Sequence, residues 1–219
     1  MDVEQLVALH PRLFHMANAD SWQSIKRHGL LSTIALLDLF DIQGEERIAL
    51  EAAHRPESVV IEHEEYGKAV VRDQKPMRES ALEQCLEDMS PSEWYRSLNS
   101  RVFFWLTEER LQTLLTARAY KDEAHCVLTV DASSLMAQYA SATSLSPYNS
   151  GATLYNPPAR GSKTFCAITD YPFEYWRKKR GSEPKAIAEL TIDYSVPDIT
   201  DYVIKAEVRQ KDRIIESLT

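Results

Sequence analysis

Two side chains that could take part in chemistry stand inside apolar, strand-like segments of the sequence. His15 lies in Leu13-Phe14-His15-Met16, where an imidazole needs a hydrogen-bond partner because burial removes its water. Glu189 lies in the segment 187–192, whose alternation places it on the face opposite Leu190. Each residue also has an ordinary structural explanation, as a satisfied core histidine or a solvated strand glutamate. Taken singly, neither residue predicts a function.

The other histidines and the cysteines predict neither a metal site nor a disulfide. The six histidines form no HxH, HExxH or HxxxH pair, which would place two ligands on one face. The three cysteines are far apart, and no two of them form a CxxC pair. Cys126 and Cys166 lie in apolar segments, which favours buried and unreactive thiols. A cysteine and a histidine that meet only in space remain an open alternative.

Aromatic and basic side chains cluster late in the chain. The segment 170–182 combines aromatic rings with four consecutive cations, and binding of a single-stranded nucleic acid requires stacking rings and cations of this kind. The alternative is a solvated charge run that follows a helix whose aromatic rings belong to the core. The residues concerned are Tyr175, Trp176, Arg177, Lys178, Lys179 and Arg180.

Composition indicates the class of protein in which these residues act. The chain has 219 residues, 44% hydrophobic and 26% charged, with only 6 Gly, which is typical of one folded domain with its own core. An acidic N-terminus and the lack of an apolar stretch of about 20 residues predict a soluble, cytoplasmic protein without a membrane partner. The net charge of -8 disfavours broad attraction to nucleic acid. Residues 1–100 carry all the excess acid, so the second half can still hold a basic patch.

The order of the predicted elements indicates an α+β fold. A strand at 13–16 precedes a helix with Asp20 and Gln23 at the positions of a capping box, and Gly29 ends that helix. Further helices are predicted before residue 100 and at 108–120, with Thr107 as a cap. Helices first and strands later argue against a βαβ alternation. The later strands are predicted at 102–106, 126–130, 163–168, 187–192 and 202–208.

Two segments lie outside this pattern. Helices and an acidic hairpin predict an insertion over about residues 33–99, whose hairpin is either a partner surface or a soluble addition. The insertion includes a helix at 79–89 and a capping box that starts at Ser90. Residues 141–162 are rich in Ser, Thr, Asn, Gly and Pro, and a loop of that length is typical of a functional lid or a disordered segment.

In combination, three of these segments resemble a known superfamily. The run Leu13-Phe14-His15-Met16, with the following helix and Gly29-Leu30, resembles the opening motif of ADP-ribosyltransferases of the His-Tyr-Glu type, in particular the DarT-like DNA-modifying branch. Val102-Phe103-Phe104-Trp105-Leu106 is similar to their central strand, and 188–192 to the late strand with the catalytic glutamate. The resemblance implies a single domain, 1–219, with an ADP-ribosyltransferase-like fold: a mixed, largely antiparallel split sheet with flanking helices.

The resemblance also implies a reaction. The protein would transfer ADP-ribose from NAD to a macromolecular acceptor, with DNA or RNA as the candidate, and release nicotinamide. A toxin or defence effector with an antitoxin partner is the biological role it implies. In this superfamily the loop before the glutamate often selects the acceptor, and 170–182 would be that loop. Arg160 and Lys163 would extend its basic patch or meet the NAD pyrophosphate.

The residues of the implied site come from both ends of the chain. Glu189, His15 and Arg101 would be catalytic, with Glu189 stabilising the developing cation and His15 holding a ribose hydroxyl. No metal is implied. The residues implied in NAD binding are His15, Met16, Asn18, Gly29, Leu30, Phe103 and Tyr120.

One position departs from the family pattern. The central strand carries a tyrosine in the family, whereas this sequence has Phe103 and Phe104. Phenylalanine keeps the aromatic face that can stack on nicotinamide but lacks the hydroxyl. Two alternatives therefore stay open. One is a non-catalytic binding module of the same fold, and the other is an RNA 2'-phosphotransferase-like enzyme, which needs several cations around a phosphate.

Overall fold

Strands and helices alternate irregularly along the chain. A computed structural model describes all residues, 1–219. Its strands are β1 (Arg12–Asn18), β2 (Leu30–Leu31), β3 (Val59–His63), β4 (Gly67–Val71), β5 (Arg101–Trp105), β6 (His125–Asp131), β7 (Thr143–Ser146), β8 (Cys166–Ala167), β9 (Glu189–Asp193), β10 (Ser195–Val196), β11 (Val203–Gln210) and β12 (Arg213–Ser217). Its helices are α1 (Val3–Leu9), α2 (Trp22–His28), α3 (Thr33–Leu39), α4 (Gly44–Glu51), α5 (Glu79–Cys85), α6 (Pro91–Asn99), α7 (Glu108–Leu115), α8 (Ala132–Tyr139) and α9 (Phe173–Arg180). The predicted single-domain α+β class is confirmed.

Eight strands form one sheet in the order β12-β11-β6-β1-β5-β9-β7-β8. The sequence predicted a mixed sheet, but every neighbouring pair in it is antiparallel. Antiparallel neighbours need no crossover helix, which explains why the chain lacks a regular βαβ alternation. The largest hydrophobic cluster packs on this sheet and includes Leu13, Phe104, Leu128 and Leu190.

The sheet is weakly joined at its middle, between β1 and β5. These strands pair at one position, Phe14 opposite Trp105, whereas β1 pairs with β6 over its full length. Next to that position, the His15 ring crosses between the strands, and its Nδ1 lies 2.8 Å from the Phe103 carbonyl oxygen. A side chain therefore satisfies a carbonyl that the strand ladder leaves free. The join divides the sheet into two halves of four strands, with an opening between them.

The helix that follows β1 begins differently from the prediction. A 3-10 turn at Ala19–Ser21 comes first, and the Asn18 side chain accepts a hydrogen bond of 3.1 Å from the Asp20 N–H. The predicted capping box with Asp20 is wrong, because α2 starts at Trp22 and no side chain caps it. Asn18 takes over the local capping role because its amide oxygen reaches the first free N–H groups of the turn.

Gly29 ends α2 as predicted, and its neighbourhood explains why the position needs glycine. Its φ is 81°, a region that residues with a Cβ rarely adopt. A Cβ at this position would also lie 2.4 Å from the Cα of Pro197. The backbone of α2 is thus held close to the segment after β9, which fixes one end of the opening in the sheet.

The predicted insertion, about 33–99, contains four helices and the β3–β4 hairpin. α3, α4 and the hairpin share a small hydrophobic cluster around Leu37 and Ile61. α5 and α6 form another around Leu82 and Trp94, and Ser90 caps α6 in the predicted capping box. The insertion therefore packs through small clusters of its own.

The stretch 141–162 is packed into the protein. It contains β7, and beyond this strand Ser150, Thr153 and Arg160 are each at most 1% exposed. The backbone N–H of Arg160 donates to the Cys85 carbonyl at 2.8 Å. The expectation of a disordered segment is therefore wrong, because buried polar side chains satisfy much of this irregular backbone.

Several predicted boundaries are also wrong. The segment 170–182 contains the helix α9, since Glu, Arg and Lys favour helix even without an apolar stripe. The strand predicted at 163–168 is reduced to β8. The helices predicted to reach Met89 and Tyr120 end at Cys85 and Leu115. α1, α8 and β12 were not predicted. No helix is long and apolar enough to cross a bilayer.

Candidate active site between the two halves of the sheet

Two adjoining cavities open where the sheet is weakly joined. The first, of about 440 Å³, is lined by the end of β1, by α2 and by the β3–β4 hairpin. The second, of about 250 Å³, lies among β1, β5 and the start of β9. The two adjoin because six residues line both as a shared wall, and together, as the recess, they have the size of a small-molecule site. The shared residues are His15, Met16, Thr33, Arg72, Arg101 and Phe103.

His15 is held in one tautomer in this shared wall. Its Nδ1 must donate to the Phe103 carbonyl oxygen, 2.8 Å away, because a carbonyl can only accept. The pKa of His15 is lowered to about 4, mainly by burial and also by the nearby Arg72 charge, although the hydrogen bond to Phe103 opposes the shift. The ring is therefore neutral near pH 7. Its Nε2 carries a lone pair and can accept a hydrogen bond from a hydroxyl group.

Glu189 lines the second cavity together with His15. It is 3% exposed, and its Oε2 accepts hydrogen bonds from the Ser150 hydroxyl at 2.7 Å and the Ser150 N–H at 3.1 Å. Burial raises the pKa of Glu189 to about 7, although these bonds and the charges of Arg160 and Arg110 lower it. The group can therefore gain or lose a proton near neutral pH. It is buried and not solvated, contrary to the ordinary explanation for a strand glutamate.

β5 presents alternate residues to the recess. Val102 and Phe104 are buried in the core, while Arg101, Phe103 and Trp105 are half-buried on the other face. This is the two-residue period of a strand, and it places Phe103 in both cavities. An aromatic ring of the central strand therefore faces the recess.

Arg101 lines both cavities from the first position of β5. One of its Nη atoms donates to the Ser97 carbonyl at 3.0 Å, and its nearest carboxylate, Asp193, is 3.8 Å away. Its Nε is buried and has no hydrogen-bond partner. A buried donor without a partner is unfavourable, so Arg101 retains capacity for an acceptor group.

Arg72 is a functional candidate that the sequence did not single out. It ends the β3–β4 hairpin of the insertion and lines both cavities. Its guanidinium lies 5.1 Å from the centre of the Tyr120 ring and donates to the Met16 carbonyl at 3.0 Å, and it forms no ion pair. Only its place after an acidic hairpin turn distinguishes it in the sequence. The insertion therefore supplies a cation to the recess.

The remaining residues of the implied NAD site are divided between the cavities. Tyr120 lines the second cavity, 3% exposed, with one ring face against Arg72 and its hydroxyl on Asp73 at 2.8 Å. The first cavity is lined by Met16, Asn18, Gly29 and Leu30. All the residues that the resemblance implied in catalysis or NAD binding therefore line one recess.

A third cavity, of about 1170 Å³, adjoins the second. The two share Trp105, Leu114, Tyr120, Asn149 and Pro76. Its charged lining is mainly basic: Arg110, Arg118 and Lys185 face it, with Glu109 as the one acid. Arg110 forms no ion pair or side-chain hydrogen bond, and burial together with Arg180 lowers its pKa.

The basic and aromatic residues at 175–180 lie on α9, outside the three cavities. Their groups contact one another: Arg177 pairs with Glu174 at 2.6 Å, and the Lys179 Nζ lies 4.8 Å from the Trp176 ring centre. Trp176 packs partly against the main core, and Tyr175 is exposed. Arg160 is buried, so it cannot extend a surface patch as expected.

Other reactive groups do not form a second centre. Cys126 is fully buried and burial raises its pKa to about 12, while Cys166 is half-buried and burial also raises its pKa. No three His, Cys, Asp or Glu side chains group in a way that could hold a metal ion.

Fold and site together define a class: a single-domain α+β protein with a recess that holds a neutral histidine, a buried glutamate and several guanidinium groups. A family model matches residues 11–203, and the chain belongs to that family, DUF7002, which is described as a family of unknown function. No curated protein matches the sequence.

Proposed function

We propose that the protein is an NAD-dependent ADP-ribosyltransferase whose active site is the recess between β1 and β5. The observation that carries the proposal is that His15 and Glu189, from opposite ends of the sequence, line the same cavity. The family resemblance implied this pair before any geometry was considered. The weakly joined sheet supports the split sheet of an ADP-ribosyltransferase-like fold.

The recess suits a dinucleotide because it has two compartments with cations at their common wall. NAD consists of two nucleosides joined by a pyrophosphate. The nicotinamide riboside occupies the second cavity, which Glu189 lines, and the adenosine occupies the first cavity. The pyrophosphate then meets the shared wall, where Arg72 and Arg101 have donors to offer. Guanidinium groups bind phosphate oxygens with short, charge-assisted hydrogen bonds.

His15 and Phe103 orient the nicotinamide riboside. The Nε2 of neutral His15 accepts a hydrogen bond from a ribose hydroxyl, since its Nδ1 is already committed to Phe103. The Phe103 ring provides an aromatic surface against which the nicotinamide packs. Its missing hydroxyl is not required for that contact.

Glu189 acts on the reacting carbon. The bond between the ribose C1' and the ring nitrogen breaks, and its electron pair leaves with nicotinamide, so the pyridinium charge is neutralised. Positive charge develops on the ribose, and the Glu189 carboxylate stabilises it. The acceptor then forms a bond to C1' and gives up its proton, for which a carboxyl with a pKa of about 7 is a suitable base. The cationic ring of bound NAD favours the ionised form of Glu189 before reaction.

The acceptor in this proposal enters through the third cavity, which adjoins that of Glu189. Arg110, Arg118 and Lys185 offer positive charge there, and the exposed Tyr155 offers a ring for stacking. This combination suits a single-stranded nucleic acid. A toxin or defence effector with an antitoxin partner, acting in the cytoplasm, is the role that fits such an acceptor.

Nicotinamide release from NAD, measured with and without DNA, RNA or cell extract, tests the proposal. Glu189→Gln should lower turnover about 10²- to 10³-fold, the usual effect of removing one preorganised charge. Glu216→Gln, the same substitution on an exposed position of β12, is the matched control and should leave turnover unchanged. Turnover that survives Glu189→Gln would reject the catalytic assignment. Absence of NAD binding in calorimetry would favour a non-catalytic binding module.

A second candidate function follows from the cations of the second cavity. Arg55, Arg72 and Arg101 all line it, and an RNA 2'-phosphotransferase-like enzyme needs several cations near one phosphate. Arg72 and Arg101 carry this candidate, because the Arg55 guanidinium already donates to Leu50, Arg72 and Asn99. Incubation with NAD and a 2'-phosphorylated RNA distinguishes the two. Loss of the RNA phosphate would identify phosphotransfer, whereas ADP-ribose retained on the acceptor identifies ADP-ribosyl transfer.

A further inference from the structure

The buried glutamate of the recess is connected to a polar group that lies deeper in the protein. Ser150 is fully buried and donates to the Oε2 of Glu189 twice, through its hydroxyl at 2.7 Å and its N–H at 3.1 Å. Oε1 accepts no hydrogen bond from the protein. One oxygen of the carboxylate is therefore fixed, and the other is available to a ligand in the cavity.

Ser150 is itself held by Arg160. An Nη atom of Arg160 donates to the Ser150 carbonyl at 2.8 Å, and its Nε donates to the Pro158 carbonyl at 3.3 Å. The guanidinium lies between two rings, 5.7 Å from the centre of Trp94 and 5.3 Å from that of Tyr148. With 1% exposure, this arginine supports the irregular backbone around Ser150 through these two hydrogen bonds, while its other Nη atom has no partner.

We propose that Ser150, supported by the buried Arg160, is the positioning residue that fixes the orientation of Glu189 and directs its free oxygen at the substrate. Two donors on one oxygen leave the carboxylate little freedom to rotate, and both favour its charged form. A chain of buried polar groups of this kind holds a reacting group within the narrow tolerance that chemistry needs. The inference rests on the proposed function for its consequence in catalysis but not for the contact itself.

Direct titration of the Glu189 carboxyl by carbon-13 NMR tests the contact in the full chain. Ser150→Ala removes the hydroxyl and keeps the backbone donor, and we expect it to raise the measured pKa of Glu189 by about 1, the equivalent of one hydrogen bond to a charged group. Ser162→Ala is the matched control, because Ser162 is a hydroxyl of the same stretch that bonds a different carboxylate, Asp88. It should leave the pKa of Glu189 unchanged. An unchanged value in Ser150→Ala as well would overturn the proposal.

The pH profile of nicotinamide release provides a second measurement that a purely structural defect would not move. Ionised Glu189 is the active form, with Arg160 and Arg110 as the charges that act on it. Ser150→Ala should shift the rising limb of kcat against pH upward by about 1, so that turnover falls about fivefold at pH 7, approaches a tenfold loss at lower pH and recovers by pH 9. A pH profile with the same midpoint as that of the wild type would contradict the positioning role.

Arg160→Lys tests the support behind Ser150. Lysine keeps the charge but loses the forked geometry that binds two carbonyls, so the pKa of Glu189 should rise by less than in Ser150→Ala. Because Arg160 acts through Ser150, adding Arg160→Lys to Ser150→Ala should have little further effect. Full additivity would show that Arg160 acts independently and would overturn that part of the proposal.

The outcomes separate this inference from the proposed function. If the wild-type protein releases no nicotinamide and the NMR shift is observed, the enzymatic proposal fails and the positioning contact stands. If the wild-type protein is active and Ser150→Ala moves neither the pKa nor the pH profile, the positioning role fails and the enzymatic proposal stands.

Discussion

The protein concentrates cations in two regions, helix α9 and the central recess, and the two differ in what their charges contact. On α9, Arg177 pairs with Glu174, Lys179 lies over the Trp176 ring, and Arg180 donates to the Pro147 carbonyl at 2.8 Å. In the recess and the cavity beside it, the Arg101 Nε has no partner and Arg110 forms no ion pair. Helix α9 therefore has the denser run of cations in the sequence, but most of these side chains already contact neighbouring groups and are less available to a ligand.

The difference arises from how far apart the contacting residues are in the chain. On a helix, residues three or four apart are neighbours, so a run of mixed charges and rings partly satisfies itself. The recess is built from β1, the hairpin and β5. Arg101 donates locally to the Ser97 carbonyl and the Ser100 hydroxyl, but no acidic residue lies three or four positions from it or from Arg72. Cations held there without compensation are unfavourable for folding, and proteins tolerate such groups mainly where function needs them.

The largest expected difference concerns stability as a function of pH. Burial raises the pKa of Glu189 from its ordinary 4.5 to about 7, so between these values the folded protein keeps a proton that the unfolded chain releases, and stability falls as pH rises. Glu189→Gln should be more stable than the wild type by roughly 3 kcal/mol above pH 7, with no difference near pH 4.5. Urea unfolding at several pH values measures this.

Glu174→Gln on α9 is the control of opposite sign. The Arg177 side chain holds the pKa of Glu174 below its ordinary value, so the ion pair stabilises the protein above the unfolded pKa and is lost as the pH falls. Glu174→Gln should therefore be no more stable than the wild type at high pH. The His15 contribution, lost as the pH falls from 6.5 toward 4, is common to all these proteins and cancels in the comparison. A pH-independent gain in Glu189→Gln would contradict a buried, proton-binding Glu189.

The next effect concerns NAD. Arg72→Gln removes a guanidinium from the shared wall of the two cavities, and loss of one hydrogen bond to a charged phosphate is worth about 1.5 kcal/mol or more. The Kd for NAD should therefore rise about tenfold, as measured by calorimetry. Arg177→Gln on α9 should leave it unchanged. If the two variants bind NAD with equal affinity, the pyrophosphate does not contact the shared wall.

A smaller effect is expected for nucleic-acid binding. Two triple variants, each of which removes three cations, compare the two regions. Arg110→Gln, Arg118→Gln and Lys185→Gln together should reduce the salt dependence of single-strand binding by about 2 in log–log slope, since each phosphate contact contributes about 0.7. Arg177→Gln, Lys178→Gln and Lys179→Gln together should leave the slope unchanged. If the salt dependence of binding falls in the α9 variant instead, α9 is the acceptor surface, as the sequence predicted.

The smallest effect is structural and lies within α9. Arg180→Gln loses a hydrogen bond to Pro147 and a contact with the Trp176 ring, so it should lower the free energy of unfolding by about 0.5–1.5 kcal/mol. Lys178→Gln, next but one along the same helix, has no such contact and should stay within about 0.5 kcal/mol of the wild type. Urea unfolding at pH 7 measures both. Identical values would mean that the last turn of α9 carries no structural contact.

Much of the fold could be predicted because its signals are local. β1, β5 and β6 are apolar runs of strand length, and the caps at Ser90 and Thr107 are set by residues three positions apart. α9 was assigned to a loop because its sequence has charges and rings but no apolar stripe. α1 and α8 were also missed, although they are as long as the predicted helices α2 and α4. The chain after α5 contacts distant backbone, since the Glu87 N–H donates to the Arg160 carbonyl at 3.0 Å.

The candidate site was predictable to a smaller extent. His15, Arg101, Phe103 and Glu189 were found because a family resemblance singled out the strands that carry them. Arg72, Ser150 and Arg110 carry no motif, and their place in the site depends on which distant segments meet.

The sequence by itself determined the α+β class, most strands of the sheet and the helix that Gly29 ends, since each follows from neighbours a few residues apart. Only the tertiary structure decided that His15 and Glu189 share a cavity, that their pKa values are displaced toward 4 and 7, and that Arg72 and Arg101 line the recess while most cations of α9 contact neighbouring groups. Proton affinity and charge pairing are set by the groups within a few ångströms in space, and along this chain those groups come from distant positions.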